Sequence, residues 1–217
     1  MTDCPEHPGQ TYTRCGLCRS EALASGDPRD LADWHARQNI AECANRLPTR
    51  YRNATVDTPD VAAWLDQWNH NPRECGSLML AGTVGVGKTW QAFGALRAAV
   101  TGPQSTTWEA VVAPEMYASL RPSPTSDPEA VMRRYQTVGL LLVDDLGTGK
   151  ITEWVEEAIY RVIGSRYNDC LPTIYTTNVT NDRLRETLGD RVASRLNEIC
   201  DWVVMTGPDR RRQVRAA

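Results

Sequence analysis

Hydrophobic positions along the chain change their period as it proceeds. Over 30–47 they recur at helical spacing through Leu31, Trp34, Ile40 and Leu47, and Pro48 stops the run. The stretch 50–56 reads as an extended lead-in. Thr58 and Pro59 read as the N-cap and first position of a helix with Val61, Trp64, Leu65 and Trp68 on one face. From 77 onward, short apolar runs alternate with helical spacing. Strands are expected at 77–81, 106–112, 138–144, 172–177 and 202–205. Helices are expected at 88–100, 114–120, 129–136, 152–167, 181–188 and 191–199. In 152–167, Val155, Ile159, Val162 and Ile163 would face the core. Segment 121–127 (RPSPTSD) reads as a mobile loop. Residues 1–19 form no periodic element. Strands this short, separated by helices, imply a parallel five-stranded α/β sheet covered on both sides.

Composition narrows this picture little. The chain has 217 residues, of which 41% are hydrophobic and 24% charged, which excludes wholesale disorder. Its longest apolar run, 138–143, is too short to cross a bilayer. The N-terminus is polar and lacks a signal-peptide core, so no membrane partner and a bacterial cytoplasmic location are expected. A net charge of -3 does not advertise nucleic-acid binding. Lysine occurs only at Lys88 and Lys150, a bias that reads as a GC-rich genome. Seven cysteines without a secretory signal suit metal ligands or buried thiols better than a disulfide framework.

The first chemical signal is Gly82-Thr83-Val84-Gly85-Val86-Gly87-Lys88-Thr89, which continues into Trp90. It fits G-x-x-x-x-G-K-[ST] and lies between an apolar strand and a helix, as a phosphate loop requires. Gly85 and Gly87 permit backbone angles that turn successive N–H groups around a phosphate. The helix start adds its positive end. Lys88 reaches the outer phosphates, and Thr89 offers a hydroxyl to Mg²⁺. The second signal is the apolar run ending in Asp144-Asp145, about 55 residues after the loop lysine. Two carboxylates at the end of a buried strand suit a cation and a water. Asp144 would complete the Mg²⁺ shell and Asp145 would act as general base. The bland alternative is an Asp pair capping the next turn.

Three further places fit hydrolysis. Asn178 ends the 172–177 strand, expected to lie between the phosphate-loop strand and the Asp144 strand, where it could meet the γ-phosphate or the attacking water; a turn-forming Asn is the alternative. Arg191 and Arg195 lie four apart on one helical face, where either could reach a neighbouring subunit's phosphate or simply be solvated. The Gly207–Arg212 segment (GPDRRR) could place an arginine beside the phosphates, touch nucleic acid, or be a disordered end.

GTVGVGKT, LLLVDDLG, the IYTTN strand end, GDRVASRL and the terminal GPDRRR together resemble the AAA+ ATPases of the DnaC-type helicase loaders and IstB-type transposition helpers. RYRNATV resembles the lead-in to that ATPase core. The resemblance covers about 47–212 and points to a phage or actinobacterial DnaC-like loader. It implies an AAA+/RecA-like P-loop core without a helical lid, since only about 40 residues follow Asn178. It further implies Lys88 and Thr89 as the Walker A pair, Asp144 and Asp145 as Walker B, and Asn178 as sensor 1. Arg195 matches the trans-acting arginine finger, with Arg191 as its companion. Arg211 best fits the cis-acting terminal arginine, although three consecutive arginines leave the register open. Asp145 stands where other AAA+ branches carry Glu, which implies slow hydrolysis. Relatives form open helical oligomers on single-stranded DNA; Arg121, Arg133 and Arg134 are the candidate contacts, with a solvated basic face as the alternative.

Cys4, His7, Cys15 and Cys18 form a CxxH…CxxC set that suits tetrahedral Zn²⁺. So small a polar segment has no core of its own, and metal would supply its folding energy. Cys43, Cys75, Cys170 and Cys200 show no partner pattern. The expected organisation is a zinc module at 1–29, a linker helix at 30–47 and the ATPase core at 48–217. ATP, Mg²⁺ and Zn²⁺ are the expected cofactors. The leading function is ATP-dependent loading of a replicative helicase onto single-stranded DNA by a homo-oligomer. An IstB-like transposition helper, a P-loop small-molecule kinase and an ATP-controlled adaptor remain as alternatives.

Overall fold

Alternation along the strands decides where the core lies. In the computed structural model, which describes residues 16–122, 127–149 and 151–210, Leu78 and Leu80 face one side of the sheet and Met79 the other. The strands are β1 (Ser77–Gly82), β2 (Trp108–Val112), β3 (Leu140–Asp144), β4 (Thr173–Thr177) and β5 (Cys200–Met205). All pairings are parallel, in the order β2-β3-β4-β1-β5. β3 and β4 are buried along their whole length, which explains why β3 reads as a continuous apolar run rather than an alternating one.

Helices cover both faces. Chain order begins with α1 (Gly16–Ser25), α2 (Pro28–Arg46), α3 (Pro59–His70) and α4 (Lys88–Thr101). On the Leu78 side, Trp64 and Trp68 of α3 pack with Phe93 and Leu96 of α4 against Leu140, Leu142, Ile174 and Val203. The opposite side is covered by α5 (Ala113–Ser119), α6 (Pro128–Thr137), α7 (Glu153–Asn168), α8 (Asn181–Leu188) and α9 (Asp190–Ile199). There Ile159, Val162 and Ile163 of α7 meet Met79, Leu141 and Tyr175. Asp127 and Thr152 cap α6 and α7 by accepting the N–H of Ala130 and Val155.

Where the element boundaries differ from the expected ones, tertiary bonds account for it. β3 starts at Leu140 rather than 138 because Val138 is the C-cap of α6, and its carbonyl accepts from buried Arg166 at 2.7 Å. β5 starts two residues early because Cys200 pairs with Ser77. The lead-in contains a 3-10 turn at Thr49–Tyr51, where Tyr51 stacks on Phe93 with centroids 4.6 Å apart. Helix α1 begins within the stretch read as aperiodic; ten residues make fewer than three turns, too few for a period to emerge. The helix expected at 30–47 is observed as α2, and its C-terminal end is built into the core rather than standing off as a linker. Cys43 and the following Leu47 are buried there, and the Asn39 amide donates to the Val100 carbonyl and the Ser105 hydroxyl. Residues 123–126 of the expected mobile loop lie outside the described residues. Among the described residues no helix is long and apolar enough to cross a membrane.

Candidate functional site

At the carboxyl ends of β1, β3 and β4 lies a cavity of about 740 Å³. In open parallel sheets this end is where ligands bind, because strand termini and helix starts converge there. The loop leaving β1 forms its floor. Gly87 adopts φ 106° as the N-cap of α4, a conformation that side-chain-bearing residues resist. Gly85 has φ 90°, and a Cβ there would overlap the Asp209 carboxylate. Val84, Gly85, Gly87, Lys88, Thr89 and Trp90 line the cavity. Gly82, Thr83 and Val86 do not, and Val86 is turned into the core.

Lys88 is buried at the cavity wall. Its ammonium donates to the carbonyls of Gly82 (2.9 Å) and Thr83 (2.8 Å) and to Asn178 Oδ1 (2.7 Å). The Asn178 amide nitrogen donates in turn to Asp145 Oδ1 at 2.9 Å. Thus Asn178, at the end of β4, bridges the loop lysine and the second carboxylate of the β3 pair. Asp145 sits at φ 58°, an uncommon left-handed conformation for a residue other than glycine. Its own N–H donates to Thr176 Oγ1 at 2.9 Å, and Leu146 N–H donates to the Thr176 carbonyl at 2.8 Å, which holds the turn. Local strain maintained by surrounding bonds is common at functional sites.

Asp144 lies one layer deeper. The hydroxyls of Thr176 (2.6 Å) and Thr89 (3.1 Å) both donate to its Oδ1. Burial pushes its carboxyl above the ordinary range, and the neighbouring Asp145 charge adds to this; the two hydroxyls and the Lys88 charge oppose it. Thr89 and Asp144 present hard oxygen donors side by side at the start of α4, a set that fits Mg²⁺ rather than a softer metal. The left-handed glycines and the helix start fit a polyphosphate.

Three lining residues had no assigned role from sequence: Arg50, Tyr51 and Arg210. The first two belong to the RYRNATV lead-in, whose resemblance was legible while its contact with the loop was not. Arg210 is the first of the three terminal arginines. Its N–H donates to the Gly85 carbonyl at 2.9 Å, which pins the segment after β5 onto the phosphate loop. Arg211 lies outside the described residues.

The α9 arginines stand apart from this cavity. Arg195 is half-buried, with its guanidinium 4.4 Å from the Tyr160 ring centroid on α7, and Arg191 is exposed. Of the DNA-contact candidates, Arg134 pairs with Glu109 at 3.5 Å, whereas Arg121 and Arg133 are exposed. Cys4, His7 and Cys15 lie outside the described residues, and Cys18 is in the first turn of α1. Among the described residues no cluster of three or more His, Cys, Asp or Glu side chains could hold a metal ion.

No family model matches the chain. A stretch of 127 residues, 58% of the chain, is 29% identical to the replicative helicase loader DnaI of Bacillus subtilis. The chain spans 40% of the length of that curated relative. The crystal structure of the DnaC helicase loader superposes with a TM-score of 0.64 and 25% identity, over 73% of this chain and all of that one. The chain resembles the DnaC-type helicase loaders. A replication initiator DnaA bound to AMPPCP and single-stranded DNA shares the fold, with a TM-score of 0.61 and 18% identity over 78% of this chain and 56% of that one. The five-stranded parallel α/β core expected from the motifs is therefore observed, in a form shared with loaders and initiators.

Proposed function

We propose that this protein is an ATP-dependent loader that places a replicative DNA helicase onto single-stranded DNA, acting as a homo-oligomeric AAA+ ATPase in the bacterial cytoplasm. The observation that carries this reading is the convergence of Lys88, Asp145, Asn178 and Arg210 on one cavity, in a chain similar to helicase loaders.

The geometry of the cavity supports the roles of the residues that line it. The 82–89 loop amides and Lys88 would hold the phosphates, and Tyr51 with Arg50 would border the nucleoside. Thr89 and Asp144 would hold Mg²⁺, which when bound neutralises phosphate charge. Asp145 accepts the Asn178 amide on one oxygen, so the other remains to take a proton from water. Asn178 positions both Asp145 and Lys88 and so links the base to the phosphates. Arg210 would act in cis. Arg195, oriented by Tyr160, would reach the neighbouring subunit's nucleotide, with Arg191 beside it. Arg121, Arg133 and Arg134 would track a DNA backbone. Cys4, His7, Cys15 and Cys18 would hold Zn²⁺ in an N-terminal module that engages the helicase; this rests on their spacing alone.

The decisive experiment combines turnover with capture. ATP hydrolysis by the full chain should be slow, rise with single-stranded DNA and vanish in Lys88→Ala. A pull-down with the tagged chain from a replicating host should recover a hexameric helicase. Recovery of a transposase, or DNA-independent phosphorylation of a small acceptor, would overturn the loader reading. Arg195→Ala should bind ATP but lose the rise of specific activity with protein concentration. Freshly purified protein should carry one zinc per chain, and a content near zero rejects the tetrad.

A further inference from the structure

Beside the phosphate loop, the lead-in to α3 and the segment after β5 meet through a small polar network outside the expected motifs. Its centre is Gln91, fully buried in the first turn of α4. Gln91 Oε1 accepts the N–H groups of Asp57 (3.1 Å) and Thr58 (3.3 Å). Its Nε2 donates to the Thr55 carbonyl (3.4 Å) and to Asp57 Oδ1 (2.5 Å). Every hydrogen-bonding position of this amide is therefore used. Asp57 is clamped by backbone and side chain to the helix that begins with Lys88.

The second carboxylate oxygen, Asp57 Oδ2, accepts from Arg210 Nη1 at 3.3 Å. The guanidinium lies over Gly87, where a Cβ would come within 3.4 Å of Nη1 and 3.5 Å of Cζ. Arg210 is thus held twice: its N–H on Gly85 and its side chain on Asp57. An unrestrained arginine loses rotamer freedom on meeting an anion; one already oriented loses less. One Nη1 contact leaves the remaining donors of the fork for an anionic ligand.

From this geometry we infer that Asp57 is a positioning residue for the nucleotide. Anchored by Gln91, it presets the Arg210 guanidinium at the edge of the phosphate cavity. This rests on the nucleotide reading of that cavity. Removing the carboxylate also removes a negative charge, but that screened effect acts with or without Arg210 and drops out of a double-mutant cycle.

The test is that cycle, read on AMPPCP affinity by calorimetry with the full chain: wild type, Asp57→Asn, Arg210→Ala and the double variant. Asn keeps the acceptor for Gln91 and loses the ion pair. The effect of Asp57→Asn on affinity should be about threefold more adverse with Arg210 present than with it replaced, as expected for a half-exposed pair. Asp57→Glu should recover most of that coupling, and thermal melting should be the same for all variants. An equal effect in both backgrounds makes Asp57 merely structural and overturns the inference; so does Asp57→Glu behaving like Asp57→Asn. Should Asp57→Asn melt early, the cycle is read at a lower temperature at which all four proteins are folded, with the same coupling of about threefold expected and its absence still overturning the inference. Absence of AMPPCP uptake by wild type instead removes the nucleotide reading itself.

Discussion

Two buried cations mark the two ends of the same sheet. Lys88 stands at the carboxyl ends of the strands, and Arg166 of α7 lies toward their amino ends, where β4 begins. Each is almost fully buried and donates to neutral oxygens: Lys88 to two carbonyls and an amide, Arg166 to the carbonyls of Tyr135, Val138 and Pro172 and the Thr173 hydroxyl at 2.6–3.0 Å. Their surroundings differ. Lys88 borders an open cavity and connects through Asn178 to Asp145, whereas Arg166 ties the end of α6, the entry to β3 and the entry to β4 to one helix. No carboxylate pairs with Arg166 among the described residues, and burial pushes its guanidinium down to about 10, which leaves it charged at neutral pH. Burial of a charge is therefore no sign of function by itself. What separates the two ends is whether the cation's neighbours include groups that can hold a ligand and move a proton.

The sharpest test of this contrast is Lys88→Ala. It should reduce ATP turnover about 100-fold or more, as loss of a positioned electrostatic group does. Its urea midpoint should stay near that of wild type, because Lys88 itself lines the cavity and water entering the space it vacates can solvate the oxygens it leaves.

Arg166→Met should behave in the opposite way. Four buried oxygens lose their donor, which should cost about 3 kcal/mol of stability in urea unfolding. Turnover per folded molecule should change little. Equal stability of the two variants would erase the distinction between the two ends.

Buried thiols add a response to alkali. Burial pushes the Cys75 thiol, just before β1, up to about 12, and that of Cys43 on α2 to about 11. Their unfolded-chain value is 9.0, so above it the unfolded chain releases protons that the folded one keeps. Stability should be fully present below about pH 9 and fall progressively as pH rises from there toward the folded values of about 11 and about 12. The urea midpoint measured at pH 7, 9 and 10 checks the slope, and Cys75→Ala should flatten it.

The smallest effect is chemical. Exposed Cys170, at the entry to β4, should be alkylated by iodoacetamide well before Cys75 and Cys200. Peptide-level mass spectrometry reads the order.

Much of the cavity end was legible because its motifs need unusual residues at short range. Glycines, a lysine and a threonine follow one apolar strand, and paired aspartates end another. The bridge through Asn178 was legible only as a polar residue at a strand tip, since its partners lie 90 and 33 positions away. Arg210 could not be told from Arg211 and Arg212, because the choice depends on which backbone N–H meets the Gly85 carbonyl. Arg166 carried no signal at all. In a chain whose basic residues are nearly all arginine, one more within a helical run looks like surface. The zinc tetrad and the DNA contacts were read from spacing and charge alone.

By itself the sequence determined the alternation of strand and helix and the position of the glycine-rich loop between β1 and α4. These depend on hydrophobic period and on backbone freedom, which are local properties. β4 lies between β1 and β3, as expected, and tertiary structure decided what its tip reaches: Asn178 meets both Lys88 and Asp145. Tertiary structure also decided which arginine lies over the loop and which lies under the sheet. A side chain's partners come from distant segments, and only the packed sheet brings those segments together.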